Sequence, residues 1–318
     1  MAFQKFYYLL ISAAVTLMAA TSCGDDDDKG YILAPGSSGG SNNPSAGSST
    51  GDCRLRLEVP ALEEGNLFVQ HSVEWQGNDV MNYCLEYNPT KHHSRWIAFR
   101  FDATTRQQNV GRSSEPFMDD PSISQQYHIG YNGFGKDYID INGQSQRLPS
   151  GQFDRGHLCA SADRYLCREA NEQTFYMSNM SPQMSNFNSP YWSSFEQKVQ
   201  KWGRDASFAD TLYVVKGGTI AQGQTLGYVQ RPNGTEVTVP KYYFMALLKC
   251  KNNTYSAIAF WMEHKDYGDR ELSNAEMSQK TVSIDKLEEL TGIDFFHNLP
   301  DQVESLVESD SMPGAWGL

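Results

Sequence analysis

Two apolar, aromatic-rich runs, Met81 to Tyr87 and Trp96 to Phe101, are separated by the turn-forming Asn88, Pro89 and Thr90. That layout predicts a hairpin or two sequential strands. Further strands are expected at Leu212 to Val215, Tyr242 to Leu248 and Tyr255 to Met262, the first ending at Gly217 and Gly218. A helix is expected from Pro190 to about Trp202, with Ser189 as N-cap, because proline suits the first helical turn and serine the cap. A second, shorter helix spans Ile284 to Leu290 and is closed by Gly292. Between the early strands and the first helix, residues 103 to 150 are polar and punctuated by Gly130, Gly133, Gly135, Gly143 and Pro149. Long loops of this kind are often functional. Strands interleaved irregularly with few helices make the fold class α+β, and no internal repeat is found.

The N-terminus follows a different pattern. Lys5 precedes an apolar run from about Phe6 to Ala20, then Ala20, Thr21, Ser22 and Cys23. The run is short of the roughly 20 apolar residues that span a bilayer, so a cleaved export signal over residues 1–22 is expected rather than a retained transmembrane helix. Small residues directly before Cys23 resemble the lipobox of bacterial lipoproteins, although Ala20 stands where a larger aliphatic residue is usual. The acidic run Asp25 to Asp28 resembles a signal for export to the outer face of the outer membrane, and four adjacent like charges stay solvated. Gly36 to Gly51 is almost wholly Gly, Ser, Asn and Pro, the composition of a flexible tether. The expected organisation is therefore a signal at 1–22, a lipidated, disordered tether at 23–52 that anchors the protein to the membrane through Cys23, and a working domain at 53–318.

The chain carries a formal net charge of −12, and without its first 52 residues it still has 24 basic against 33 acidic residues. That balance argues against nucleic-acid binding through bulk positive charge. Any contact with a polyanion must be local. Cys53, Cys84, Cys159, Cys167 and Cys250 leave room for up to two disulfides in an exported protein, with the pairing open. No Cys/His cluster has zinc-ligand spacing, and the adjacent His92 and His93 read as loop residues.

The densest chemistry is the string Asp154, Arg155, Gly156, His157, which places an imidazole beside a guanidinium at what reads as a glycine-permitted bend. Histidine accepts protons near neutrality, and arginine offers a forked set of donors to phosphate. Downstream, Asn188, Trp192 and Glu196 recur at intervals of four and would share one face of a helix starting near Asn188. An amide oxygen and a carboxylate are hard ligands of the type magnesium accepts.

Taken together, DRGHLCASADR, TFYMSNMSPQ and NSPYWSSFE resemble the DNA/RNA non-specific endonuclease family. The likeness extends over about residues 61 to 308, including the closing segment LEELTGIDFFHNL. It implies a ββα-metal (His-Me finger) fold, with a central antiparallel sheet flanked by helices, and a magnesium-dependent enzyme, with manganese as a possible substitute, that cuts both DNA and RNA to 5′-phosphate ends. Carried over by residue, it makes His157 the general base, Asn188 the direct protein ligand of one magnesium, and Glu196 the residue that orders metal-bound water. Arg155 and Asn179 would steady the phosphate and the site, while Trp192 stays in the core. Two positions depart from the family pattern: Ala160 replaces a proline, and Gln200 replaces an arginine. A surface lipoprotein that keeps the scaffold but serves as a nucleic-acid or protein binding module is the competing expectation. The complete set of catalytic residue types argues against it.

Overall fold

Alternation explains why the longest apolar runs look unbroken. In the strand Tyr242–Lys251, Met245 and Leu247 enter one core, while Phe244, Ala246 and Leu248 enter another on the opposite face. A strand covered on both faces has no polar side to reveal its period. The computed structural model describes residues 52–114, 117–149 and 151–318. The segments expected to be an export signal and a tether, with Cys23 and the acidic run, lie outside the described residues but for the end of the second.

Seven strands form the main antiparallel sheet: β1 (Leu67–Trp75), β2 (Asn78–Asn88), β3 (His93–Phe101), β8 (Thr211–Gly218), β11 (Tyr242–Lys251), β12 (Thr254–Glu263) and β13 (Thr281–Val282), paired in that order. A second sheet has four short strands in the order β10 (Glu236–Pro240), β9 (Thr225–Gln230), β4 (Asp137–Asp140) and β5 (Ser145–Arg147). The remaining pair, β6 (Phe153–His157) and β7 (Met180–Met184), is antiparallel and stands apart from both sheets. Helix α1 (Arg168–Gln173) lies between β6 and β7, and α2 (Ser193–Arg204) follows β7. The short helices α3 (Asn274–Ser278), α4 (Ile284–Thr291) and α5 (Asp301–Glu308) complete the C-terminal part.

One face of the main sheet packs on α2. Phe195, Val199 and Trp202, spaced at helical intervals, join Leu85, Ile97, Phe99, Val214 and Met245 in a single core. The other face is covered by Ile284 and Leu287 of α4 together with Ile293, Phe295 and Phe296. Gly292 adopts φ 65° and accepts the left-handed cap of α4 that the sequence predicts.

Three sequence-based expectations are corrected. Asn188 and Ser189 precede the regular helix: residues 187–192 form a wide turn in which Ser189 is extended (φ −145°, ψ 128°), so Ser189 is not an N-cap and Asn188 does not share a helical face with Glu196. Gly156 lies in a strand rather than at a bend. His93 is no loop residue either: it opens β3, is 1% exposed, and its Nε2 bonds the Ser181 hydroxyl of β7 at 2.6 Å. The five cysteines from Cys53 onward are all unpaired.

Candidate active site

The β6–β7 pair is fixed against the main sheet by buried polar contacts. Ser181 bonds both His93 and the Tyr243 hydroxyl, the latter at 2.5 Å, and the Met184 amide donates to His264 Nε2 at 2.8 Å. Gly156 faces Ser181 in the register, and a Cβ there would overlap the Gln183 side chain of the neighbouring strand. Glycine is required by close packing and not by its φ angle.

His157 ends β6 half-buried. Its Nε2 is buried and has no hydrogen-bond partner among the described residues. The ring is held by aromatic edges, with Phe175 at 5.2 Å and Phe117 at 5.8 Å between centroids. Burial, followed by the nearby positive charges of Arg112, Lys216 and Arg155, pushes its pKa down to about 3, with Asp163 opposing. The imidazole is therefore neutral at physiological pH. Arg155 lies over Phe117 at 3.6 Å and donates to the Tyr131 carbonyl at 2.6 Å. That carbonyl belongs to a loop clamped by Arg231, which donates to the carbonyls of Ile129, Gly130, Asn132 and Gly133.

Asn188 is oriented by Asp154. Its Nδ2 donates to Asp154 Oδ2 at 3.0 Å, while Ser185 donates to Asp154 Oδ1. With the amide nitrogen committed, Oδ1 is the atom left to serve as a ligand. Asn179 is fully buried. Its Oδ1 accepts the Cys159 amide, and its Nδ2 donates to the Cys159 and Thr174 carbonyls. These bonds fix the chain just after His157 and engage both ends of the side-chain amide.

Glu196 lies one turn into α2. Trp192 Nε1 donates to Glu196 Oε1 at 3.0 Å and to the His157 carbonyl at 3.3 Å, linking the carboxylate to the backbone of β6. Trp192 is a core residue, as expected, and also a bridge. Burial raises the Glu196 pKa to about 7, against the lowering pull of Lys216. Lys216, on the α2-facing side of β8 like Val214, pairs with Asp163 at 2.7 Å and approaches Glu196 at 3.6 Å, with Lys216 and Asp163 both wholly buried.

The two departures from the family pattern find local partners in this group. Gln200 donates to Asp163 Oδ1, and the Ala160 amide, which a proline would lack, donates to Asp163 Oδ2. Sequence reasoning passed over Asp154 as an orienting residue and missed Lys216 and Asp163 altogether. The available signal was a lone lysine between Val215 and Gly217 inside an apolar strand, since a charge there needs a buried partner.

Residues 64–302 match the DNA/RNA non-specific endonuclease family. A protein named Nuclease from Nostoc sp. is 27% identical over 232 residues, covering 71% of this chain and 75% of its own length. The mitochondrial Endonuclease G of Bos taurus is 28% identical over 172 residues, covering 52% of each chain. A crystal structure of an EndoG/EndoGI complex shares the fold, with a TM-score of 0.57 at 20% identity, over 80% of this chain and 95% of that one. The β6, β7 and α2 arrangement and the matched residues lead to one conclusion: the chain belongs to the DNA/RNA non-specific endonuclease family, hydrolases that cut phosphodiester bonds.

Proposed function

We propose that this protein is a divalent-cation-dependent, sugar-non-specific endonuclease that cleaves DNA and RNA to 5′-phosphate ends while anchored at the outside of the cell. The observation that carries the chemistry is the unpartnered, buried Nε2 of a neutral His157 beside Arg155. A base held neutral with a nitrogen unclaimed by protein can take a proton from an attacking water. Arg155 faces the phosphate with positive charge as negative charge grows on phosphorus. The 3′ oxygen then leaves and takes up a proton from solvent.

The residues present fit a hard cation. Asn188 Oδ1 would hold it, with Asp154 orienting the amide and Glu196 placed to bind its hydration shell. Magnesium suits these oxygens, and manganese accepts the same set. When bound, the cation would neutralise charge on the phosphoryl oxygens. The direct test is cleavage of supercoiled plasmid and of RNA with magnesium, repeated with chelator. Asn188→Ala should weaken the magnesium dependence more than Glu196→Ala. Failure to cut either polymer would favour the binding-module reading.

The location rests on the sequence before residue 53. A Gly/Ser-rich chain of roughly 30 residues has in general a root-mean-square span on the order of 30 Å, a distance that clears lipid headgroups. An acidic body resists sticking to an anionic membrane, so acyl chains on Cys23 would be the chief anchor. Cys23→Ala should release the protein with its catalytic domain intact. Fractionation with surface proteolysis tests this: wild-type protein found soluble in the cytoplasm would refute the anchor.

A further inference from the structure

Far along the chain from the catalytic strands, α4 and α5 bring three carboxylates together. Asp285 and Glu288 come from α4 and Glu308 from the last residue of α5, and one ligand oxygen from each lies within 4.8 Å of the others. Glu308 is only 5% exposed, and its Oε1 is buried with no hydrogen-bond partner among the described residues. Among those residues, none of the three carboxylates forms an ion pair with a basic side chain, and Lys286 of α4 turns instead to Glu289. The Phe295 amide donates to Glu288 Oε1 at 2.7 Å and so fixes one member of the group. Asp294 and Glu304 add negative charge close enough to be felt by Glu308, and Asp301 does the same for Glu304.

A buried carboxylate oxygen without a donor, facing two more acids, is costly unless a cation neutralises it. We propose that Asp285, Glu288 and Glu308 form a second divalent-cation site, of the calcium class, that fastens α5 to α4. Donor chemistry suits calcium: three carboxylates from two separate helices form an irregular, all-oxygen set of the kind calcium accepts, whereas magnesium requires short bonds and near-octahedral order. The site would be structural. Val303 and Val307 of α5 pack on the core shared with Ile284 and Leu287 of α4, and the ion would close the open end of that contact.

The test uses the full chain stripped of metal and titrated with calcium, followed by thermal unfolding and calorimetry, with Asn188→Ala to silence the catalytic ligand. The wild-type protein and Asn188→Ala should both gain thermal stability in saturating fashion. Glu308→Gln and Asp285→Asn should lose the gain and bind calcium at least tenfold more weakly. Glu308→Gln should fold at least as stably as the metal-free wild type, since an amide of the same shape adds no charge to the acidic group, and should keep magnesium-dependent cleavage. A calcium response absent from the wild type, lost in Asn188→Ala or retained in Glu308→Gln would overturn the proposal.

Discussion

Asp154 Oδ2 accepts the Asn188 amide nitrogen at 3.0 Å, joining the second residue of β6 to the turn before α2. The bond decides which end of the Asn188 amide is available to a cation. Without it, the side chain could rotate or flip.

Asp154→Ala should therefore act through Asn188. Removing a group that orients a ligand typically costs about 10- to 100-fold in metal affinity or activity. The magnesium concentration giving half-maximal cleavage should rise by that order, with little change in thermal stability. An unchanged magnesium titration would separate Asp154 from the metal site.

The part of the acid limb that belongs to His157 should lie well below the usual histidine range. Burial and then Arg112 lower the His157 pKa to about 3, so the base stays neutral, and competent, as pH falls through 6.5. Any loss between about pH 8 and 6 should follow Glu196, raised to about 7, and be absent from Glu196→Gln, while loss through His157 should come only in more acidic solution. Removing a positive charge makes protonation easier, so Arg112→Gln should move the limb upward. A wild-type limb centred at 6.5, unmoved in Arg112→Gln, would show that these charges do not govern the base.

Lys216→Met should destabilise the protein strongly. Asp163 would remain as a buried carboxylate without its cation, and Glu196 would lose its nearest positive charge. Breaking a buried pair by removing one partner costs about 3–5 kcal/mol. Urea denaturation measures the loss, and a change below about 1 kcal/mol would mean the pair carries little of the local structure.

Gly156→Ala should cost about 1–3 kcal/mol through overpacking, because Gln183 is wholly buried and cannot swing into solvent. Combining it with Gln183→Ala should recover part of the loss in a double-mutant cycle. Strict additivity of the two changes would place the strain elsewhere.

The sequence disclosed the main sheet much better than the site that the sheet supports. β2, β3, β8, β11 and β12 contain aromatic and branched runs dense enough to read directly. β6 has Phe153 as its one large apolar residue, and β7 contains Pro182, so neither shows a strand pattern. β1 alternates, but the buried inner position between Val69 and Val73 is His71. The residues of the site were nevertheless legible as chemistry, since His157, Arg155, Asn188 and Glu196 occur in strings that resemble one family. What the strings could not disclose was how they are held: the Asp154 bond to Asn188, the Trp192 bridge and the ion pair beneath Glu196 join residues 34, 35 and 53 positions apart.

The role of His157 as base can be read from the cleavage rate of His157→Ala on plasmid DNA and RNA with saturating magnesium. Loss of a general base typically lowers rate by about 10² to 10⁴. The rate should fall by that amount on both polymers, with unfolding temperature and nucleic-acid affinity close to wild type. Cleavage by the folded variant at the wild-type rate would contradict it.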